Sequence, residues 1–123
     1  MVKKFSVEGF DNFKAKAEEL AKEGPLYVLF SGSKNEKGES WCPDCVVAYP
    51  IVQKCLEEVD DDSSFLYVEV GDRAFWKDPN CIFRTAPETR LNSVPTLMMW
   101  GSPRRLEEDK CADPGLVSML FED

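Results

Sequence analysis

The sequence predicts an α/β fold, a three-layer sandwich in which helices cover both faces of a central mixed β-sheet. Segments of strand length alternate with segments of helical periodicity in the order β-α-β-α-β-α-β-β-α. Such alternation indicates a parallel centre with right-handed crossovers, and the final pair of strands adds an antiparallel hairpin at the edge. A chain of 123 residues has the length of one domain, and we expect residues 1–123 to form a single domain.

The first elements follow from apolar patterning. A short edge strand is predicted at 5–7, and apolar residues of 10–20 recur at helical spacing until the Gly24-Pro25 pair stops the helix. The continuous apolar run 26–30 predicts a strand buried on both faces. A polar loop over 31–40 follows.

From Pro43 the pattern is helical as far as the acidic triplet 60–62, which we interpret as a solvated turn. Pro50 lies inside this predicted helix, where its missing N–H removes one backbone hydrogen bond and favours a kink. The next strand is predicted at 65–70.

Two Asp-Pro pairs have the form of an N-cap followed by proline at the first helical position. The pair Asp78-Pro79 predicts a short helix that runs through Phe83, and Asp113-Pro114 predicts the last helix. Between them, 96–100 predicts a strand and 104–108 its hairpin partner, joined by a Gly-Ser-Pro turn.

Two cysteines lie three residues apart where the loop meets the second helix. Cys42 falls at the helix N-terminus, where unpaired N–H groups and the helix dipole favour a thiolate, the form that attacks disulfides. Cys45 lies one turn further, less exposed, and is expected to attack the resulting mixed disulfide. Pro43 suits the first turn because its missing N–H would be unpaired there.

Asp44 lies between the two cysteines. Its carboxylate suits the first helical turn but opposes the negative charge of a Cys42 thiolate, and the two effects are each worth about 0.3–1 kcal/mol. We expect the helix terminus to prevail and to leave the pKa of Cys42 modestly depressed. We also expect the pair to be somewhat more reducing than one with a neutral or basic residue in this position.

Other interpretations of the cysteines are zinc ligation, a static disulfide and a pair of inert thiols. Zinc needs about four ligands, and the chain has no histidine and no second cysteine pair. Of the remaining cysteines, Cys55 is expected in the core, whereas Cys81 and Cys111 are expected to be partly exposed bystanders. The lack of histidine also excludes Cys-His and Ser-His nucleophile pairs.

Net charge and cysteine content limit the binding partners and the cellular compartment that we expect for the protein. The formal net charge of −8 disfavours binding to nucleic acid or to anionic membranes. The start of the chain lacks the apolar region of a signal peptide, and an odd number of cysteines argues against a disulfide-stapled extracellular fold. We therefore expect a cytoplasmic protein.

Val94-Pro95 precedes a predicted strand well downstream of the cysteines. A cis proline there would place the backbone groups of Val94 beside Cys42, available to an extended substrate strand. The alternative is a proline that simply begins an edge strand.

With these motifs, the chain resembles the thioredoxin superfamily over nearly its full length and, within it, the 14-kDa thioredoxin-related proteins. The stretches that carry the resemblance are 30–34, 40–45 with its Trp-Cys-Pro-Asp-Cys motif, 75–80 and 93–96. It implies a nucleophilic Cys42, a resolving Cys45 and a cis Pro95. It also implies that Pro43 and Asp44 tune the redox potential, and that no cofactor is bound.

The resemblance further implies partners and activities. Electrons would come from NADPH through thioredoxin reductase to the redox-active Cys42–Cys45 disulfide. Substrates would include cystine, the disulfide of dynein light chain, and persulfide or nitrosothiol adducts. Peroxidase activity and modulation of TNF and NF-κB signalling are also implied.

The sequence departs from ordinary thioredoxins at two places near the motif. Leu29 stands roughly where thioredoxins keep a buried aspartate, so Asp44 or water is expected to assist proton transfer at Cys45. The loop 32–40 either reshapes the docking surface or is a tolerated insertion. Trp41 is expected to shield Cys42, and Phe75 and Trp76 are expected in the core or as a lid.

The leading functional hypothesis is a disulfide reductase. The alternatives are a redox-sensing adaptor, which binds a signalling partner without turnover, and a non-redox scaffold. We expect a monomer, because no large apolar stripe is left unassigned once the core is formed.

Overall fold

A five-stranded mixed sheet organises the computed structural model, which describes residues 2–122. The strands are β1 (Lys3–Glu8), β2 (Leu26–Ser31), β3 (Ser64–Glu69), β4 (Thr96–Met99) and β5 (Arg105–Glu107). Their order across the sheet is β1-β3-β2-β4-β5. The contacts β1–β3 and β3–β2 are parallel, whereas β4 runs antiparallel to both β2 and β5. The predicted mixed sheet with an antiparallel edge is confirmed.

Helices cover both faces of this sheet. They are α1 (Phe10–Ala21), α2 (Pro43–Leu56), α3 (Arg73–Lys77), α4 (Ile82–Thr85) and α5 (Pro114–Phe121), with a 3-10 helix at Glu108–Ala112. None of the helices within residues 2–122 has the length and apolar character needed to cross a membrane.

The strand β2 separates two apolar cores. All six of its residues are buried, and successive side chains point to opposite faces because a strand has a period of two. Val28 and Phe30 pack with Phe13 of α1 in one core, whereas Tyr27 and Leu29 join the core beneath α2 and α5. The continuous apolar run is thus explained by burial on both faces, as predicted.

The helix α2 begins immediately after Cys42, which is its N-cap, and Pro43 takes the first helical position. Its core face is formed by Ala48, Val52 and Leu56, spaced four residues apart. The helix continues through the exposed Pro50, which has no N–H to donate to the preceding turn. The kink at Pro50 stays a prediction.

The helix predicted to begin at Asp78-Pro79 is wrong. Two short helices stand there, and α3 begins earlier, after Asp72, whose side chain accepts from the N–H of Phe75 at 2.8 Å. The Asp78 carboxylate accepts from the N–H of Asn80 at 2.9 Å. Aspartate favours such local turns, so Asp78 ends α3 instead of beginning a helix.

The second Asp-Pro pair behaves as predicted. The Asp113 carboxylate accepts from the N–H groups of Gly115 and Leu116, at 2.9 and 3.2 Å, and Pro114 occupies the first position of α5. The 3-10 helix that precedes Asp113 was not predicted. It begins at Glu108, whose φ of 55° lies in the left-handed region.

Candidate active site

Cys42 and Cys45 are joined as a disulfide at the N-terminus of α2, and their Cα atoms lie 5.2 Å apart. The backbone N–H of Cys45 points at the Cys42 sulfur, at an N-to-S distance of 3.2 Å. In the reduced form the same N–H and the helix dipole stabilise negative charge on Cys42. The local geometry therefore suits reversible thiol–disulfide chemistry.

Both cysteines are buried in the oxidised form, with exposed fractions of 4% for Cys42 and 3% for Cys45. Cys45 was predicted to be less exposed than Cys42, and the observed difference between them is small. The Cys45 sulfur faces the end of β2 and lies 3.5 Å from the backbone nitrogen of Gly32. Each sulfur thus has a backbone N–H directed toward it.

The Cys42 sulfur lies 3.7 Å from the carbonyl oxygen of Val94. The peptide bond between Val94 and Pro95 is cis, and Thr96 begins β4. The structure thus places Val94 and Pro95 beside Cys42, where the sequence analysis expected them.

Trp41 packs against the backbone at the carboxyl ends of the parallel strands. Its indole N–H donates to the carbonyl oxygen of Gly71 at 2.9 Å. A Cβ atom on Gly32 would lie 2.6 Å from the Trp41 ring, so only glycine allows this contact. Gly71 has a φ of +115° and also lies against the Phe75 ring. These two glycines position Trp41 next to the cysteine motif, and they were not predicted as site residues.

Ser40 links the loop to the cysteine motif and was likewise missed. Its hydroxyl donates to the carbonyl oxygen of Gly32 at 2.9 Å and accepts from the N–H of Cys42 at 3.2 Å. The loop closes on itself through a bridge between Lys34 and Ser40. Within it, the Asn35 side chain accepts from two backbone N–H groups.

Pro43 and Asp44 are both exposed on the first turn of α2. The Asp44 carboxylate therefore lies at the surface, and in the sequence Asp44 lies between the two cysteines. In this position it contributes negative charge to the protein surface beside the disulfide. Any effect of this charge is reduced by solvent screening.

The aromatic pair in α3 divides between core and surface. Trp76 is buried, and the Arg84 guanidinium lies over its ring at 3.9 Å from the ring centroid. Phe75 is 47% exposed, so of the two expected positions, core or lid, the core is excluded for this residue. Its ring lies against Gly71, just after the end of β3.

The other three cysteines are free and buried. The expected partial exposure of Cys81 and Cys111 is wrong, because Cys81 packs in the core on the α1 face and Cys111 in the core beneath α2. The Cys111 sulfur lies 3.3 Å from the Leu106 carbonyl oxygen, and burial raises the pKa of its thiol to about 12. Cys55 is in the core, as expected.

Metal ligation has no support from this geometry. Within residues 2–122, no three histidine, cysteine, aspartate or glutamate side chains lie close enough together to hold a metal ion. Cys42 and Cys45 contact each other and backbone groups instead.

Comparisons of sequence identify relatives along most of the chain. The family model described as "Thioredoxin domain-containing protein 17-like, thioredoxin domain" matches residues 6–123. Thioredoxin domain-containing protein 17 of Mus musculus is 44% identical over 119 residues, which cover 96% of this chain and 94% of the relative. The protein of the same name from Homo sapiens is 41% identical over 118 residues, with the same coverage of each chain. The thioredoxin-like protein Clot of Arabidopsis thaliana is 33% identical over 110 residues, 86% of this chain and 82% of its own.

Solved structures agree on the fold. A reduced Schistosoma mansoni thioredoxin superposes with a TM-score of 0.61 at 14% identity, covering 97% of this chain and 98% of its own. Oxidised Plasmodium falciparum thioredoxin gives a TM-score of 0.60 at 17% identity, covering 98% and 99%. These identities are too low to carry function, but they establish the thioredoxin fold. The chain therefore belongs to the thioredoxin domain-containing protein 17-like family, and its paired cysteines are those of a thiol–disulfide oxidoreductase.

Proposed function

We propose that this protein reduces disulfides by dithiol–disulfide exchange, with Cys42 as the nucleophile and Cys45 as the resolving thiol. The observation that carries the proposal is the position of the Cys42 sulfur between the Cys45 N–H and the Val94 carbonyl. The Cys45 N–H stabilises a thiolate on Cys42. The Val94 carbonyl belongs to a backbone segment on which an extended substrate can align.

The exchange proceeds in two displacements. The Cys42 thiolate attacks one sulfur of the substrate, the substrate S–S bond breaks, and the first substrate thiolate leaves and takes a proton from water. Cys45, once deprotonated, attacks the Cys42 sulfur, and the second substrate thiolate leaves. Two electrons pass from the cysteine pair to the substrate, and the Cys42–Cys45 disulfide remains.

We assign substrate docking and the tuning of the redox potential to residues around the Cys42–Cys45 pair. Trp41, Val94 and Pro95 form the surface against which the substrate lies. The exposed Asp44 disfavours the reduced thiolate, while Pro43 fixes the first turn of the helix, and both adjust the redox potential.

NADPH-dependent thioredoxin reductase would restore the dithiol, so the protein itself needs no bound cofactor. Cystine and protein disulfides such as that of dynein light chain are the proposed substrates. Peroxidase activity and an effect on TNF and NF-κB signalling are secondary proposals. The family resemblance supports these assignments.

A cytoplasmic monomer without nucleic-acid or membrane partners is proposed from the composition. The net charge of −8 repels phosphate backbones and anionic lipids. Free thiols at Cys55, Cys81 and Cys111 suit a reducing compartment.

The direct test is NADPH consumption in the presence of thioredoxin reductase and cystine, with wild type and Cys42→Ser compared. We expect turnover by wild type and none above background by the variant. Absence of turnover by correctly folded wild type would contradict the reductase proposal and favour the redox-sensing adaptor. Cys81→Ser is a useful control, since this buried cysteine lies outside the proposed site.

A further inference from the structure

A cavity of about 370 Å³ opens beside the resolving cysteine. Cys45 forms part of its wall, together with Ser31 from the end of β2 and Tyr67 from β3. The loop before α2 supplies Lys34 and Ser40. The cavity therefore connects a buried sulfur to polar side chains and to the surface.

Cys45 needs such a connection because of its part in the reaction. A thiol is a poor nucleophile, so Cys45 must lose its proton before it attacks the mixed disulfide on Cys42. Its side chain is 3% exposed, so bulk water does not reach the sulfur freely. The N–H of Gly32, 3.5 Å from the sulfur, can stabilise the anion but cannot accept a proton.

Ser31 and Tyr67 are the buried hydroxyl groups of this cavity, with exposed fractions of 2% and 7%. They lie on adjacent parallel strands, β2 and β3, and both side chains line the wall of this cavity. Burial raises the pKa of Tyr67 above its ordinary value, so its hydroxyl stays neutral at physiological pH. A neutral hydroxyl both donates and accepts hydrogen bonds and can therefore pass a proton along a chain.

Charged groups surround the mouth of the cavity. The Lys34 ammonium lies 5.1 Å from the centroid of the Tyr67 ring and 5.3 Å from that of Tyr49. The exposed Glu39 lines the cavity, and the side chain of Glu69 accepts from the backbone N–H of Lys34 at 2.9 Å. On α2, the charged neighbour of Cys45 is the exposed Asp44.

We propose that this cavity is the proton exit of Cys45, and that Ser31 and Tyr67 are positioning residues that carry the proton outward. The inference rests on the proposed dithiol exchange. The Cys45 thiol gives its proton to water in the cavity, and the proton passes along the two hydroxyls to bulk solvent near Lys34. The Cys45 thiolate then forms the bond to Cys42 as the bond from Cys42 to the substrate sulfur breaks.

The test separates the two displacements in one experiment. The reduced protein is mixed rapidly with a symmetric aromatic disulfide whose thiolate absorbs visible light. The first thiolate released reports attack by Cys42, and the second reports resolution by Cys45. A missing first phase contradicts the proposed function, whereas a change confined to the second phase concerns the proton exit.

Tyr67→Phe removes the hydroxyl but keeps the ring. We expect the second phase to slow about tenfold near pH 7 and its pH midpoint to rise by about one unit, with the first phase within about twofold of wild type. Ser31→Ala is expected to act in the same direction and carries the test if Tyr67→Phe does not fold. An unchanged second phase and pH profile in both folded variants would overturn the proposal.

Matched controls remove polar groups from the same region. Tyr49→Phe deletes a hydroxyl from the more exposed tyrosine of the cavity, and Glu39→Gln neutralises the carboxylate that lines it. Both variants are expected to leave the second phase within about twofold of wild type. A shift of its pH midpoint by Glu39→Gln or Asp44→Asn, without one by Tyr67→Phe, would assign the proton to a carboxylate and overturn the inference.

Discussion

The Cys42 sulfur and the Val94 carbonyl oxygen lie 3.7 Å apart, although 52 residues separate them in the chain. The antiparallel pairing of β4 with β2 brings the two segments together, because β4 begins directly after Pro95. The disulfide and the backbone segment proposed to align the substrate therefore lie side by side. The proposed thiol exchange depends on this juxtaposition.

The cysteines are expected to differ in reactivity after reduction. The Cys42 thiolate is stabilised by the N–H of Cys45, whereas burial raises the pKa of Cys111 to about 12. At neutral pH Cys111 is therefore almost entirely a thiol, and thiols do not alkylate readily. Iodoacetamide at pH 7 should modify Cys42 first, which peptide mass spectrometry can follow with time. Modification of Cys111 at a comparable rate in the folded protein would contradict the assigned environments.

The contact between Gly32 and Trp41 is expected to tolerate no side chain at Gly32. A Cβ there would lie 2.6 Å from the indole ring, so Gly32→Ala should displace Trp41 and break its bond to Gly71. We expect the free energy of unfolding to fall by about 1–3 kcal/mol, measured by denaturant titration.

A double-mutant cycle provides the control for Gly32. In a Trp41→Ala background the ring is absent, so Gly32→Ala should cost markedly less than it does in the wild type. Equal costs in the two backgrounds would show that the cost does not arise from the indole contact.

Cys111 should also make stability depend on alkaline pH. Its folded pKa of about 12 exceeds the ordinary value of 9.0, so the unfolded chain releases this proton first. The contribution of the neutral Cys111 thiol to the free energy of unfolding is complete below about pH 9. It is lost as the pH rises toward 12, by at most about 1.4 kcal/mol per pH unit. The difference in unfolding free energy between wild type and Cys111→Ala, measured under reducing conditions, should therefore shrink from pH 8 to 11. A constant difference would contradict the raised pKa.

Asp113 is expected to stabilise α5 without affecting exchange. Its carboxylate accepts from two backbone N–H groups at the start of the helix, so Asp113→Ala should cost about 1 kcal/mol of unfolding free energy. Asp113→Asn keeps an acceptor oxygen and should cost less. Disulfide exchange, measured in parallel, should be unchanged in both variants. A full loss of exchange in stable, folded Asp113→Ala would contradict this separation.

Local patterns were sufficient for much of the fold. The apolar run of β2 predicts burial on both faces because its side chains alternate between two cores. The two Asp-Pro pairs show the limit of such patterns. Asp113 reaches two N–H groups of a following helix, whereas Asp78 reaches only the N–H of Asn80 in a turn. The two Asp-Pro pairs have the same local form. Whether the aspartate caps a helix or closes a turn depends on the structure that follows it.

The candidate site likewise contains some residues that the sequence predicts and others that it does not. The cysteine motif and the Val94-Pro95 pair carry signals that can be found in the sequence, since each is a short local pattern. Tyr67 carries no such signal, because only the pairing of β2 with β3 places it beside Ser31 and the Cys45 cavity. Gly71 likewise has meaning only once Trp41 is seen to donate to its carbonyl oxygen.

The roles of Cys42 and Cys45 can be distinguished by trapping the intermediate. Reduced Cys45→Ser, incubated with a slight excess of cystine, should accumulate one half-cystine adduct on Cys42, identified by intact mass and peptide mapping. Cys42→Ser under the same conditions should acquire no adduct at a comparable rate. Stable modification of Cys45 in Cys42→Ser, with none on Cys42 in Cys45→Ser, would contradict the assignment of Cys42 as the attacking thiol and Cys45 as the resolving thiol.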